Sequence, residues 1–147
     1  MASDQMVSKI SDLLAELQSF SDYLDQHFNG VMLCMAYLTV SAADSSSWTF
    51  CVSADELDEK SERAALSIII KEMEGHVSRT VQSMIERVVI LRVFDPDASE
   101  IFSTLKSPDD AYLLIGHTIL GREIRRAHVF IIRGNMQQVP QRQSVRA

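Results

Sequence analysis

Asn29-Gly30-Val31-Met32-Leu33-Cys34-Met35-Ala36-Tyr37-Leu38-Thr39-Val40, followed after a serine-rich break by Trp48-Thr49-Phe50-Cys51-Val52, decides how this chain folds. Asparagine and glycine both tolerate positive φ, so the opening pair stops a helix. The residues after it are apolar on both faces, and Tyr37, Thr39 and Val40 add strand character. Ser41 to Ser47 reads as a polar loop and Trp48 to Val52 as a returning strand, so residues 31–52 form a β-hairpin with a longish connection. Apolar side chains on both faces place at least one of these strands inside the sheet.

Upstream, Met6, Ile10, Leu13, Leu17, Phe20 and Leu24 recur at steps of three and four, predicting an amphipathic helix from about Ser3 to Phe28. Downstream, Leu66, Ile70, Met73, Val77, Thr80, Met84 and Val88 repeat that spacing and predict a second long helix, with Gly75 a weak point inside it. Ser53-Ala54-Asp55-Glu56 has the form of a capping box before it. Val88 to Phe94 reads as a third strand ended by Asp95-Pro96-Asp97, and Ala98 to Lys106 as a short helix. Ser107-Pro108-Asp109-Asp110 opens a helix that should reach Leu120, a strand over Tyr112 to Leu120 being the competing reading. Ile124 to Arg133 is a last strand. The order α-β-β-α-β-α-β predicts an α+β fold, two long amphipathic helices on one antiparallel or mixed sheet. Residues 1–133 form a single domain and residues 134–147 a flexible tail.

Composition limits the function without naming it. The chain has 147 residues, 46% hydrophobic and 23% charged, as expected of a globular domain. Its longest apolar runs fall far short of the ~20 residues of a spanning helix. The polar start Met1-Ala2-Ser3-Asp4 does not resemble a signal peptide, so a cytoplasmic, non-membrane protein is expected. Charge is unevenly spread: residues 1–75 carry 4 basic and 13 acidic side chains, residues 76–147 carry 10 and 7. From Arg122 onward six arginines face one acid, Glu123, which makes nucleic-acid binding a weaker alternative to pairing with the acidic half.

Motifs that carry chemistry are missing. Ser103-Thr104-Leu105-Lys106 matches S-x-x-K but lacks the companions of that motif. Histidines 27, 76, 117 and 128 and cysteines 34 and 51 lie in no metal-ligand spacing beyond Glu72 and His76, four apart on one helix face. His128, within the last strand, reads as a core histidine. Cys34 and Cys51 lie nearly opposite in the hairpin and read as buried free thiols. Trp48 reads equally as core or as an exposed aromatic anchor. No phosphate-binding glycine loop occurs, and neither a cofactor nor a metal is implied. The spacing instead predicts a noncatalytic interaction or regulatory protein that self-associates as a homodimer and binds a further protein. Leu13, Leu17, Phe20, Leu24, Ile70, Met73, Val77 and Met84 are then the interface, as helix stripes too long for one sheet to cover. The alternative is an anion sensor in which Arg122, Arg125, Arg126 and Arg133 hold a nucleotide or carboxylate.

Overall fold

A computed structural model describes residues 2–40 and 47–133, with side chains from Lys9 onward. The expected tail 134–147 and nearly all of the serine-rich loop lie outside the described residues. The elements run α1 (Ala2–His27), β1 (Val31–Thr39), β2 (Trp48–Ala54), α2 (Asp55–Asp58), α3 (Glu62–His76), α4 (Arg79–Gln82), β3 (Ile85–Ile90) and α5 (Pro96–Thr104). A 3-10 turn (Pro108–Leu114), β4 (Thr118–Ile119) and β5 (Arg122–Ile132) complete the chain. The class is α+β, as its residue pattern predicts.

The strands form one mixed sheet in the order β3-β2-β1-β5-β4. β1 is its centre, which explains nine consecutive buried residues. It pairs antiparallel with β2 and β5, whereas β2 and β3 run parallel through the crossover that α2, α3 and α4 supply. Both faces are covered. Cys34, Ala36, Leu38, Phe50 and Val52 point to one face, where they meet Leu13, Leu17, Phe20 and Leu24 of α1 and Ala65, Ile69 and Met73 of α3. Met35, Tyr37, Cys51 and Val89 point to the other, under Ala98, Ile101, Phe102 and Leu105.

That alternation settles the cysteines. Cys34 is opposite Val52 and Met35 opposite Cys51, so the two thiols lie on opposite faces of the sheet. Both are free and buried, and burial pushes the Cys34 thiol up to about 12 and the Cys51 thiol up as well.

Gly30 stops α1 as expected, at φ +67°, and a side chain there would collide with Asp55. The second long helix is shorter than its spacing predicts. It ends at His76, Val77 is extended and Ser78 begins α4. The cause is a contact with α1: Glu16 accepts the Ser78 backbone N–H at 2.8 Å and its hydroxyl at 3.0 Å. Ser78 Oγ in turn accepts the Val81 N–H at 3.2 Å. Ser53, expected in a capping box, is a buried strand residue, and the side chain that caps α3 is Ser61. The expected helix from Ser107 to Leu120 is the 3-10 turn alone. Leu120 and Gly121, at φ +51° and +81°, instead make the two-residue tip of the β4–β5 hairpin.

Candidate functional site

The helix stripes are not a surface. Leu13, Leu17, Phe20, Leu24, Met73, Val77 and Met84 are all buried against the chain's own sheet. Their expected place in an interface is corrected accordingly: one sheet does cover both helices, because the second is cut short at His76. Ile70 alone of the eight remains at the surface, 40% exposed.

The arginines do not gather. Arg122 opens β5 and Arg133 follows its last residue, eleven steps and roughly 35 Å of extended chain away. Arg122 lies 3.8 Å from Glu86, and Arg133 makes a two-pronged ion pair with Asp25 of α1, at 2.6 and 2.9 Å. That pair holds the Asp25 carboxyl below its usual range. Arg126 lies over the Trp48 ring and its Nε donates to His128 Nε2 at 3.2 Å. Burial, and secondarily Arg126, push the His128 imidazole down, so it is a neutral acceptor there. Arg125 is exposed where β5 slips register against Leu38 and Thr39. Trp48 is fully buried, so it is core rather than an anchor.

The remaining candidates for chemistry are tied up locally. Ser103 Oγ donates to the Glu100 carbonyl at 2.9 Å, and Lys106 lies beyond the end of α5. His76 Nδ1 bonds the Glu72 carbonyl at 2.9 Å while Glu72 accepts the Tyr23 hydroxyl at 3.1 Å. His117, expected in a helix, follows the 3-10 turn and lies 3.1 Å from Glu100. Among the described residues no three His, Cys, Asp or Glu side chains gather as a metal site, and no helix is long and apolar enough to cross a membrane.

What the fold does leave open is the outer edge of β3. Leu91 donates its N–H to Val52 O, towards β2. Alternation along the strand then turns the main-chain groups of Val88 and Ile90 outward, and among the described residues no strand pairs with that side. The edge strand carries no proline or lysine, and its charged residues, Glu86 and Arg87, stand near its start, leaving Val88 to Ile90 apolar. The opposite end of the sheet is blunt, because β4 is two residues long and Ile124 is bonded to Gly116 and His117.

A groove follows this edge. Its wall is α3, which runs antiparallel to β3 and contributes Glu62, Leu66 and Ile70 in turn. Its lower lip is Leu120, brought there because the sheet curls: Glu86 and Arg122 belong to strands near opposite edges yet lie 3.8 Å apart. Leu120 is 51% exposed, a non-glycine residue held at positive φ, and its N–H is fixed by Asp97 at 2.8 Å. Strain of order 1 kcal/mol in an exposed leucine is the kind of feature that collects at working sites.

At the far end of β3 stands Phe94, 71% exposed. It is presented by a tight turn in which Asp95 N–H bonds Arg92 O at 3.0 Å, Asp95 Oδ2 accepts Arg92 N–H at 3.1 Å and Asp58 Oδ2 accepts Val93 N–H at 3.3 Å. Asp58 Oδ1 is buried with no hydrogen-bond partner among the described residues, and burial raises its carboxyl above the usual range. A carboxyl raised on folding opposes stability at neutral pH, and the opposition fades as pH falls through the raised value. Asp58→Asn, which keeps an acceptor for Val93, should therefore raise the Tm at pH 7 by an amount that shrinks on acidification. A Tm lowered at pH 7 would contradict this.

Residue spacing alone does not reveal this edge, since it depends on strand order. The one available signal is Phe94, an aromatic residue immediately before Asp95-Pro96. No protein-family model, curated protein or solved structure matches the chain.

Proposed function

We propose that this chain is a noncatalytic interaction protein that works by taking an extended segment of a protein partner as an added strand on β3. The observation that carries this reading is the pair of outward main-chain positions, Val88 and Ile90, set between apolar borders. Main-chain bonds to an open edge supply affinity, and pockets for alternate side chains supply selectivity. Leu66 and Ile70 from above and Leu120 from below offer such contacts, so both faces of an added strand would be covered.

Selection of a random displayed peptide library on the native protein tests it. Enriched peptides should alternate apolar residues, lose binding to Val88→Pro and Ile70→Glu, and bind Arg125→Glu unchanged. Peptides that bind Val88→Pro undiminished would overturn the reading. So would an absence of enrichment by a protein that sediments as a monomer.

A further inference from the structure

The groove is not uniform along its length, and its two ends match each other. At the β4–β5 side, beyond Ile90, Phe94 projects as a knob. At the other end, where α3 finishes and β3 begins, lies a hollow of about 210 Å³ lined by Ile70, Met73, Gln82, Ile85 and the stems of Glu74 and Glu86. Val88 is the central one of the outward-facing positions 86, 88 and 90 of β3, with Phe94 in the turn beyond the strand and Gln82 at the end of α4 before it. Knob and hollow both open on the α3 side of the sheet.

We infer that the strand added to β3 is the β3 of a second copy, antiparallel, about a two-fold axis at Val88. This rests on the strand-addition reading and names its partner. A two-fold axis requires the same patch to complement itself, so that whatever projects at one end is received at the other. Antiparallel pairing about Val88 sets Glu86 opposite Ile90 of the partner copy. It carries each Phe94 towards the other chain's Ile70–Met73–Ile85 hollow, twice per dimer. The two α3 helices then lie antiparallel above the axis, where the Leu66 side chains of both copies meet. A lone peptide strand would occupy the edge but leave Phe94 in water, whereas a second copy buries it. An aromatic side chain in an apolar pocket at an interface is the type of contact that dominates binding. Charge decides little, since each end carries two acids and one arginine: Glu74, Glu86 and Arg87 at one, Glu62, Asp95 and Arg92 at the other.

Two variants of the full chain, each with one added cysteine, Phe94→Cys and Ile70→Cys, test the arrangement with a short bismaleimide. The native thiols of Cys34 and Cys51 are fully buried and do not compete. An equal mixture of the variants should give covalent dimer at roughly ten times the yield of either alone, because the axis brings position 94 of one copy to position 70 of the other and neither to itself. Phe94→Asp should separately abolish dimer while leaving the Tm of the dilute, dissociated chain unchanged, since the side chain is exposed in the single chain. Efficient linkage within Phe94→Cys alone would overturn the two-fold register. A monomer at all concentrations, with no linkage in the mixture, would overturn the second copy as partner. The peptide selection would then decide separately whether the edge takes a foreign strand.

Discussion

Leu17→Glu will leave most of the chain unfolded at 25 °C. Leu17 is fully buried in the layer where Leu13, Phe20 and Leu24 meet Phe50 and the strands of the central sheet. Truncating such a leucine to alanine costs about 2–5 kcal/mol. A carboxylate in its place adds a desolvation penalty of several kcal/mol, and the buried polar residues among those described, Ser21, Thr39, Thr49 and Ser53, include no basic one to offset it. The sum reaches the whole stability of a typical domain, about 5–15 kcal/mol. Loss of the cooperative thermal transition in circular dichroism is the expected readout. A soluble, native-like monomer would instead mean that the α1 stripe is a seam between subunits. Ile70→Glu is the control, because its side chain is at the surface and the fold should survive it.

Val88→Pro will leave the fold intact and remove self-association. The Val88 N–H points away from β2, so proline there spares the β2–β3 ladder, and proline is tolerated on edge strands. At a two-fold axis on Val88 the substitution deletes one main-chain donor from each copy and leaves two carbonyls facing a ring that cannot bond them. At about 1 kcal/mol per lost bond, plus the cost of each carbonyl left unsatisfied, the dimer should weaken by roughly a hundredfold or more. Sedimentation at matched concentrations reads this directly. A variant that associates as tightly as the native chain would show that the contact lies elsewhere.

Much of the architecture is legible in residue spacing, and the exceptions share a physical cause. α1 is marked by its apolar steps and by Asn29-Gly30, both local signals. The hairpin at 31–52 is equally local, and the two-sided burial of β1 follows from its continuous apolar run. The stretch 66–88 misleads because Val77, Val81 and Met84 are buried beyond the helix end and so prolong a helical rhythm. What ends α3 is a hydrogen bond from Ser78 to Glu16, 62 residues away, which no window of sequence contains. The start of the 107–120 segment is also legible, with Asp110 accepting the backbone N–H groups of Lys106 and Ser107 at 2.9 and 3.2 Å. Its end is not, because positive φ at Leu120 turns an apparent helix terminus into a hairpin tip.

The candidate site was still less visible. A stripe of leucines reads as surplus surface until the sheet that covers it is known, and four arginines read as a cluster until their strand is laid out at full length. The open edge arises only from strand order: β3 joins β2 in parallel, and among the described residues no strand follows it on the outside. Phe94 shows its exposure only through the turn that Asp95 and Asp58 fasten. Ile70, the surviving member of the expected interface, belongs to the groove for a reason different from the one its spacing suggested.

Sedimentation equilibrium of the native chain from low to high micromolar concentration tests the central claim most directly. A mass rising to twice that of the chain, and held at the single-chain value by Val88→Pro, is the predicted result. A native protein that stays at the single-chain mass throughout would contradict it.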